Sequence, residues 1–271
     1  MGRNNNNKAE HTMSEHILLR EDRDGICFLS LNRPDAYNAL SLELMEALIQ
    51  ALDAIAEDSS VRVVVIRGNG KGFCAGHDLK QMLGEGTEEY YQQTFDTCGQ
   101  MMQRVVSLPV PVIAQVHGVA TAAGCQLVAS CDLAVSTDSS RFATPGVNIG
   151  LFCSTPMVAL TRTVAPKHAM EMLLLGDLID AGRAEQMGLI NWAVPADKLE
   201  ETVLNVAGKI ASKSRKALSM GKQAFHNQRE QVLSDAYASC ARVMTENMLT
   251  HDAQEGIDAF IHKRKPEWQH R

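Results

Sequence analysis

Two short turns of small residues are the part of this sequence whose residue types could do chemistry. They are residues 75–78 (Ala-Gly-His-Asp) and 121–124 (Thr-Ala-Ala-Gly), and each follows an apolar segment and precedes a segment that can form a helix. Backbone N–H groups at the start of a helix have no intrahelical acceptor, and the helix dipole adds partial positive charge there. One N–H group from each turn, aimed at a single carbonyl oxygen, would stabilise negative charge on that oxygen. The alternative interpretation is that both turns are tight bends that require glycine.

The strands before these turns must position them. Residues 61–67 are a largely uninterrupted apolar run, which predicts a strand buried on both faces, and residues 112–116 predict a second buried strand. Further strands are predicted at 16–20, 26–32, 133–137 and 141–143, with a turn at 22–25. Helices are predicted from the capping residue Ser41 onward and at 87–107, 198–212, 216–227, 232–250 and 254–262. The recurring strand-strand-helix order predicts a layered or coiled α/β fold.

Composition excludes several classes of function. The 271 residues carry a formal net charge of -6, which gives no basic surface for nucleic acid or an anionic membrane. The seven cysteines form no Cys-x-x-Cys pair and the histidines do not fall at metal-ligand spacing, so we expect reduced, buried thiols and no metal site. Phosphate-loop, dinucleotide-binding and Gly-x-Ser-x-Gly motifs are absent from the sequence.

The N-terminus and two uncharged stretches bear on location. We expect no signal peptide, because the N-terminus has no apolar segment. Residues 1–12, which begin Met-Gly-Arg and continue with four asparagines, are predicted to be a disordered extension, with Met13 as an alternative start. Residues 105–131 and 142–161 contain no Asp, Glu, Lys or Arg, but prolines, glycines and polar residues interrupt both. We interpret them as the buried centre of a fold without a membrane span, and expect a cytoplasmic protein, or one of the mitochondrial matrix in a eukaryote.

Several motifs, in order along the chain, resemble the crotonase family, the enoyl-CoA hydratase/isomerase superfamily. They lie at residues 32–34, 38–40, 73–79 (Phe-Cys-Ala-Gly-His-Asp-Leu), 117–127, 131–134, 142–145 and 255–266, and the resemblance extends from about residue 16 to residue 267. The runs at 122–127, 143–148 and 150–156 are most similar to a branch called enoyl-CoA hydratase domain-containing proteins, which has no firmly established reaction.

The resemblance implies a fold, an assembly and a ligand. The fold would be a spiral of strand-strand-helix turns over residues 13–207, followed by a helical region at 208–271 that builds a homotrimer or homohexamer. The ligand would be an acyl-CoA thioester, with no further cofactor, whose carbonyl oxygen is held by the backbone N–H groups of His77 and Ala123. By the same resemblance, the residues that contact the CoA moiety would be Ala36, Ala75, Leu79, Phe260 and Lys263.

The sequence departs from the family at the two catalytic glutamates of its hydratases. The aligned positions hold Gln126 and Gly146. Glutamine cannot take up a proton at neutral pH and glycine has no functional group, and loss of a positioned acid or base costs about 10²–10⁴ in rate. The resemblance therefore implies a retained oxyanion site without the hydration machinery.

Other side chains could replace the lost groups. Asn148, Cys153 and Ser154, together with the side chains of Gln126 and His77, could face the acyl group. His77 could act as a general base or contribute only its N–H group, whereas Cys153 lies in an apolar run where a thiol is expected to be inert.

Three functions therefore stay open. The first is an acyl-CoA enzyme that stabilises a thioester enolate, nominally an enoyl-CoA hydratase. The second is a catalytically silent acyl-CoA binding protein, and the third is an oligomeric partner in a fatty-acid oxidation assembly. Turnover of a short enoyl-CoA separates the first from the others, and affinity for acyl-CoA separates the second from the third.

Overall fold

A computed structural model describes residues 16–271, so the predictions for residues 1–12 and Met13 lie outside the described residues. Its strands are β1 (Leu18–Arg23), β2 (Ile26–Leu31), β3 (Val63–Gly68), β4 (Val112–Val116), β5 (Val119–Thr121), β6 (Leu133–Thr137), β7 (Arg141–Ala143), β8 (Ile179–Asp180) and β9 (Trp192–Val194). Its helices are α1 (Leu42–Glu57), α2 (Leu79–Glu85), α3 (Glu88–Ser107), α4 (Ala123–Ser130), α5 (Ser154–Thr163), α6 (Pro166–Leu175), α7 (Ala181–Met187), α8 (Leu199–Ala211), α9 (Arg215–Gln228), α10 (Leu233–Met248) and α11 (His251–Ile261).

The strands form two sheets, which confirm the predicted α/β class. The larger sheet has the order β1-β2-β3-β4-β6-β9, and all of its pairs are parallel except the β1–β2 hairpin. The smaller sheet has the order β5-β7-β8. The chain passes from β4 in the large sheet to β5 in the small one and then into α4, so one strand-strand-helix unit carries the second turn of small residues.

Both faces of the large sheet are buried, as the apolar run at 61–67 predicts. In β3, Val64 and Ile66 pack in the core that contains α1, α3 and α4, whereas Val63 and Val65 pack with Val203 of α8 on the opposite face. This alternation follows from the two-residue period of a strand. The sheet is therefore a buried layer, and the two turns lie beyond it, one in the loop that follows β3 and the other at the end of β5 in the smaller sheet.

Several predicted boundaries match the structure, and others are shifted by one to three residues. The bounds of β4, β6 and β7 are as predicted, and the Ser41 hydroxyl accepts a hydrogen bond from the Leu44 N–H at 3.3 Å, which caps α1. The first strand, predicted at 16–20, runs instead from Leu18 to Arg23. The reason is the turn, in which only Asp24 and Gly25 have positive φ, so the strands extend to a two-residue hairpin.

The C-terminal helices are joined to the α/β body by one buried ion pair. Lys222 of α9 lies 2.7 Å from Asp132, which follows α4, and its ammonium also donates to the carbonyl groups of Val105 and Val110. Asp132 accepts a further hydrogen bond from the Val112 N–H. The predicted boundary at 207/208 falls inside α8, and the division into core and oligomerisation region stays a prediction. No helix within residues 16–271 is long and apolar enough to cross a membrane.

Candidate functional site

The two turns of small residues lie against each other. Cys74 and Ala120 form a β-bridge, the Thr121 N–H donates to the Cys74 carbonyl at 3.0 Å, and the Thr121 hydroxyl donates to the Ala75 carbonyl at 3.0 Å. Gly76 has a φ of +99°, and a Cβ atom there would lie 2.8 Å from the Ala122 Cβ and 3.3 Å from the Ala123 nitrogen. Glycine is therefore required at 76 both for its conformation and for the close approach.

Several backbone N–H groups in these turns have no acceptor within the described chain, and those of His77 and Ala123 are among them. Two adjacent N–H groups are paired: Asp78 donates to the Leu40 carbonyl at 3.1 Å and Ala122 to the Ala143 carbonyl at 2.9 Å. No carbonyl or side chain among residues 16–271 accepts from the N–H of His77 or of Ala123. Ala123 is the first residue of α4, where such a group is expected to be free.

A cavity of about 490 Å³ opens at these turns. Its lining residues are Ala75, His77, Leu79, Met82, Phe95, Ala122, Ala123, Pro145, Gly146, Asn148, Ile149, Leu151, Phe152, Cys153, Ser154, Thr155 and Pro156. None of these lining residues is Asp, Glu, Lys or Arg. Within the described part of the chain, no group of three or more His, Cys, Asp or Glu side chains could hold a metal ion. The cavity is suited to an uncharged, mostly apolar group.

The imidazole of His77 is the strongly perturbed group of this cavity. Burial lowers its pKa to about 4, so the ring is neutral at pH 7. Both ring nitrogens are buried without a hydrogen-bond partner in the described chain, and the ring packs edge-to-face on Phe95 at a centroid distance of 5.5 Å. An unpaired buried polar group costs about 1–3 kcal/mol, so this arrangement lowers stability.

The pKa of His77 predicts a loss of stability in acid. An unfolded chain binds a proton at His77 near the ordinary pKa of about 6.5, whereas the folded chain does so near 4. The free energy of unfolding should therefore fall as the pH drops from 6.5 to 4, by an amount on the order of 3 kcal/mol from this residue. NMR titration should place the His77 pKa near 4, and H77F should show a shallower pH dependence of unfolding. A His77 pKa near 6.5 would contradict this prediction.

Gln126 and Gly146, which occupy the positions of the two absent glutamates, differ in their relation to the cavity. Gln126 is only 4% exposed and is not among the cavity-lining residues, because its side-chain oxygen accepts from the Cys98 thiol of α3 at 3.9 Å. Gly146 does line the cavity, but a Cβ atom there would lie 2.6 Å from the Leu151 carbonyl oxygen and 2.9 Å from the Cys153 sulfur. A side chain at position 146 would therefore require the segment around Leu151 to move.

The structure brings only some of the predicted CoA-contacting residues to the cavity. Ala75 and Leu79 line it, whereas Ala36 lies in a short 3-10 turn, Pro34–Ala36, next to the 75–78 turn. Phe260, which is 84% exposed, and Lys263 lie at the end of α11 and do not line the cavity of their own chain. Their predicted role would require a second copy of the chain, and it stays a prediction.

The other candidates for acid–base roles line the cavity but are already engaged or are poor nucleophiles. Asn148 donates its side-chain amide to the Gly176 carbonyl at 3.2 Å, and the Ser154 hydroxyl donates to the Phe152 carbonyl at 3.4 Å. Burial raises the pKa of the Cys153 thiol, which keeps it protonated at neutral pH. None of these three side chains is, like the His77 ring, both buried and without a hydrogen-bond partner at its nitrogen or oxygen atoms.

Sequence reasoning missed the ion pair that fixes the first turn. Arg33 lies 2.8 Å from Asp78, whose other carboxylate oxygen caps α2 by accepting from the Gln81 N–H at 3.2 Å. Burial favours the neutral carboxyl group, but the Arg33 guanidinium and backbone N–H groups hold the Asp78 pKa below its usual range. The sequence signal that could have indicated this arrangement is the position of Asp78 immediately before a helix. Phe95, inside α3, was also missed, since it resembles any apolar residue of an amphipathic helix.

Ala122 adopts a conformation that alanine disfavours. Its φ is 50° and its ψ is -118°, a region that glycine adopts far more readily. Strained residues of this kind cost about 1–3 kcal/mol, so A122G should raise the free energy of unfolding by about 1 kcal/mol. The matched control is A129G, an ordinary position of α4, which should lower it by about 0.5–1 kcal/mol. Chemical denaturation of both variants measures the difference, and equal losses would contradict the prediction.

Comparisons with known proteins define the class to which this fold and site belong. A sequence profile of the enoyl-CoA hydratase/isomerase family matches residues 21–271, and the chain belongs to that family. It is 48% identical over 254 residues to enoyl-CoA hydratase domain-containing protein 3, mitochondrial, of Rattus norvegicus, which covers 94% of this chain and 85% of the rat protein.

Two solved structures extend the likeness to three dimensions. The enoyl-CoA hydratase of Mycobacterium smegmatis superposes with a TM-score of 0.92 at 49% identity, covering 94% of this chain and 99% of that one. Human enoyl-CoA hydratase domain-containing protein 3 superposes with a TM-score of 0.91 at 45% identity, covering 93% and 100%. The crotonase resemblance and the spiral fold with a helical C-terminal region are thereby confirmed.

Proposed function

We propose that this chain binds an acyl-CoA thioester, that the N–H groups of His77 and Ala123 hold its carbonyl oxygen, and that any reaction it catalyses proceeds through a thioester enolate. The observation that carries the proposal is the pair of unpaired N–H groups beside one apolar cavity. Such preorganised donors are worth most in a water-excluded site, where they stabilise charge as it develops on the oxygen.

Ordinary water addition is not part of the proposal. Adding water across an enoyl double bond needs a base to activate the water and an acid to protonate the α-carbon. The cavity lining contains no carboxylate, and the neutral His77 ring, with a pKa of about 4, is a weak base. We therefore propose a site that stabilises an enolate but hydrates poorly.

Removing one N–H group tests the oxyanion site. Ala123 is the first residue of α4, a position that tolerates proline, and proline has no N–H group. A123P, made in the A122G background because proline restricts the residue before it, should bind butyryl-CoA about tenfold more weakly than A122G alone. Isothermal titration calorimetry gives both affinities.

A ligand without the carbonyl oxygen supplies the control. S-butyl-CoA, a thioether, has nothing to accept from Ala123, so the advantage of butyryl-CoA over it should shrink in the proline variant to the part that the His77 N–H supplies. If A122G binds the thioester and the thioether equally well, the two N–H groups do not hold the oxygen. If neither ligand binds, the acyl-CoA proposal fails as a whole.

A silent binding protein or an assembly partner remains the alternative to an enzyme. The specific observation that favours assembly is the row of exposed apolar side chains on the C-terminal helices, which includes Leu233, Tyr237, Met244, Leu249 and Phe260. Many exposed apolar side chains in one region are typical of an interface, and they support the proposed trimer or hexamer. The names of relatives such as the rat protein carry the word mitochondrial, and for this chain a matrix location is a proposal.

A further inference from the structure

The chain turns back on itself at Lys263, directly after α11. The Lys263 N–H donates to the Phe260 carbonyl at 3.3 Å. The Arg264 N–H donates to the Ala259 carbonyl at 3.0 Å, which completes the hydrogen-bond pattern of a Schellman turn. Lys263 occupies the left-handed position of that turn, with a φ of 53°, where glycine is usual. A lysine is therefore held at a position that its backbone disfavours.

Lys263 is also an exposed cation without an acidic partner. The residues on either side of it are paired. The Nδ1 atom of His262 lies 3.0 Å from a carboxylate oxygen of Asp258, and the Arg264 guanidinium contacts both Asp258 and Glu255. No ion pair among residues 16–271 includes Lys263. Its ammonium is therefore available to an anion from outside its own chain.

The C-terminal strap, as we call residues 264–271, runs back along α11 and is anchored near the start of that helix by Asp252. The Asp252 carboxylate is buried, and it accepts from the N–H groups of Gln269 at 2.8 Å and His270 at 2.9 Å. It also accepts from the Ser214 hydroxyl, which caps α9. One buried carboxylate thus joins the strap to the first turns of two helices.

Two further contacts hold the middle of the strap. The Trp268 indole N–H donates to the Ser212 carbonyl at 2.9 Å, and the ring lies so close to α11 that a Cβ atom at Gly256 would be 2.9 Å from it. The Glu267 N–H donates to the Glu255 carboxylate at 2.8 Å. The strap is therefore held against α11 along its length.

We propose that Asp252 is a positioning residue: by anchoring the C-terminal strap it fixes the turn at Lys263, so that this ammonium meets the phosphate groups of a bound acyl-CoA. The inference rests on the proposed function, because it assumes that the ligand is a CoA thioester. It adds that the affinity for the phosphates depends on a carboxylate that does not touch the ligand.

The physical reason is that a mobile cation binds an anion more weakly than a fixed one. An exposed lysine gains little from a charge pair, because ordering its long side chain costs conformational entropy. The left-handed backbone at Lys263 persists only where the surrounding structure enforces it, and the strap is the segment that does so. Contacts along the strap remove this freedom before the ligand arrives, which is how preorganisation raises affinity.

Ligands with and without phosphates test the inference on the whole chain. Isothermal titration calorimetry should show that D252N binds butyryl-CoA about fivefold more weakly than the wild type does. The reason is that the asparagine NH₂ group would face an N–H group that the carboxylate now accepts. For butyryl-pantetheine, which has no phosphate, D252N and the wild type should have equal affinities. A general loss of structure would instead weaken both ligands, and thermal unfolding checks that the variant is folded.

A double-mutant cycle shows whether Asp252 acts through Lys263. K263M should also bind butyryl-CoA about fivefold more weakly than the wild type does. The double variant, D252N with K263M, should bind no more weakly than K263M alone, because the cation to be positioned is already absent.

G256A displaces the strap without changing either residue of that cycle. Its new Cβ atom would push against the Trp268 ring, and the variant should bind butyryl-CoA about threefold more weakly. The sequence has two tryptophans, so in a W192F background the fluorescence reports Trp268 alone. Its emission should shift to longer wavelength in both D252N and G256A as the ring becomes exposed.

Two substitutions elsewhere in the C-terminal helices are the matched controls. Asp235 lies in the first turn of α10, as Asp252 does in α11, but it is exposed and accepts from the Ser234 hydroxyl. A Cβ atom at Gly221 of α9 would meet no atom within 4 Å. D235N and G221A should therefore bind butyryl-CoA with the wild-type affinity.

The outcomes separate this inference from the proposed function. Wild-type affinity of D252N for butyryl-CoA, an equal loss for both ligands, or a further loss when D252N is added to K263M would each overturn the inference. Those results leave the acyl-CoA site standing. Failure of the wild type to bind butyryl-CoA would overturn the proposed function and the inference with it.

Discussion

Crotonyl-CoA should gain water on this protein about 10²–10⁴-fold more slowly than on a family hydratase that carries both glutamates. The physical reason is that no carboxylate lines the cavity, so no group there can both activate water and return a proton. The loss of absorbance of the enoyl thioester, followed with the two enzymes side by side at equal concentration, measures the difference.

The structure also predicts which glutamate substitution will not restore hydratase activity. Q126E alone should not restore hydration, because the side chain of residue 126 faces Cys98 and does not line the cavity. A glutamate at 146 would reach the cavity only if the segment around Leu151 moved away from the new Cβ atom. Hydration by the wild-type chain at a rate equal to that of the glutamate-bearing enzyme would show that another group supplies the acid and base.

Replacement of Lys222 should have the largest effect on stability. K222M leaves the Asp132 carboxylate without its cation and removes the donor to the Val105 and Val110 carbonyl groups, all in a region where Lys222 is only 6% exposed. Breaking a buried pair by removing one partner costs about 3–5 kcal/mol, and the 21% exposure of the Asp132 side chain puts this pair at the lower end. Urea denaturation at one fixed protein concentration should show this loss as a lower unfolding midpoint.

A surface ion pair supplies the matched control. Lys198 lies 3.0 Å from Glu201, but its side chain is 56% exposed, so K198M should cost about 0–1 kcal/mol. The double variant K222M with D132N should recover part of the lost stability, since it removes the unpaired charge as well. Equal midpoints for K222M and K198M would mean that the buried pair contributes no more than a solvated one.

The regular elements could be predicted because local patterns decide them. The bounds of β4 and β6 follow from short runs rich in apolar or β-branched residues, and Ser41 marks the start of α1 as an N-cap should. The helices between residues 154 and 187 were not predicted. α6 has alanine, Ala165, at its N-cap and therefore no side-chain cap, so the proline at its first position is its main start signal in the sequence.

The site itself could be predicted only in part, because its key groups are contacts between distant segments. The turns at 75–78 and 121–124 can be recognised as candidates, but their contact depends on the absence of a side chain at Gly76. That the side chain of Gln126 faces Cys98 while Gly146 is pressed against Leu151 depends on packing across several elements. The unpaired state of the His77 ring is likewise a property of the folded cavity, and no local pattern reports it.

The interlocked turns have a consequence for how such a protein can diverge. Their two donors are main-chain groups that every amino acid except proline supplies. Among the neighbouring residues, Gly76 and Gly124 are fixed by space, since a Cβ atom would collide with the Ala122 side chain at Gly76 and with the Cys74 carbonyl group at Gly124. Side chains around the cavity can therefore change during evolution without loss of the two backbone N–H groups that bind the ligand. A protein of this kind can lose one reaction and gain another while it still binds the thioester through the same backbone groups. A comparison of catalytic side chains alone would then miss the ligand binding that is retained.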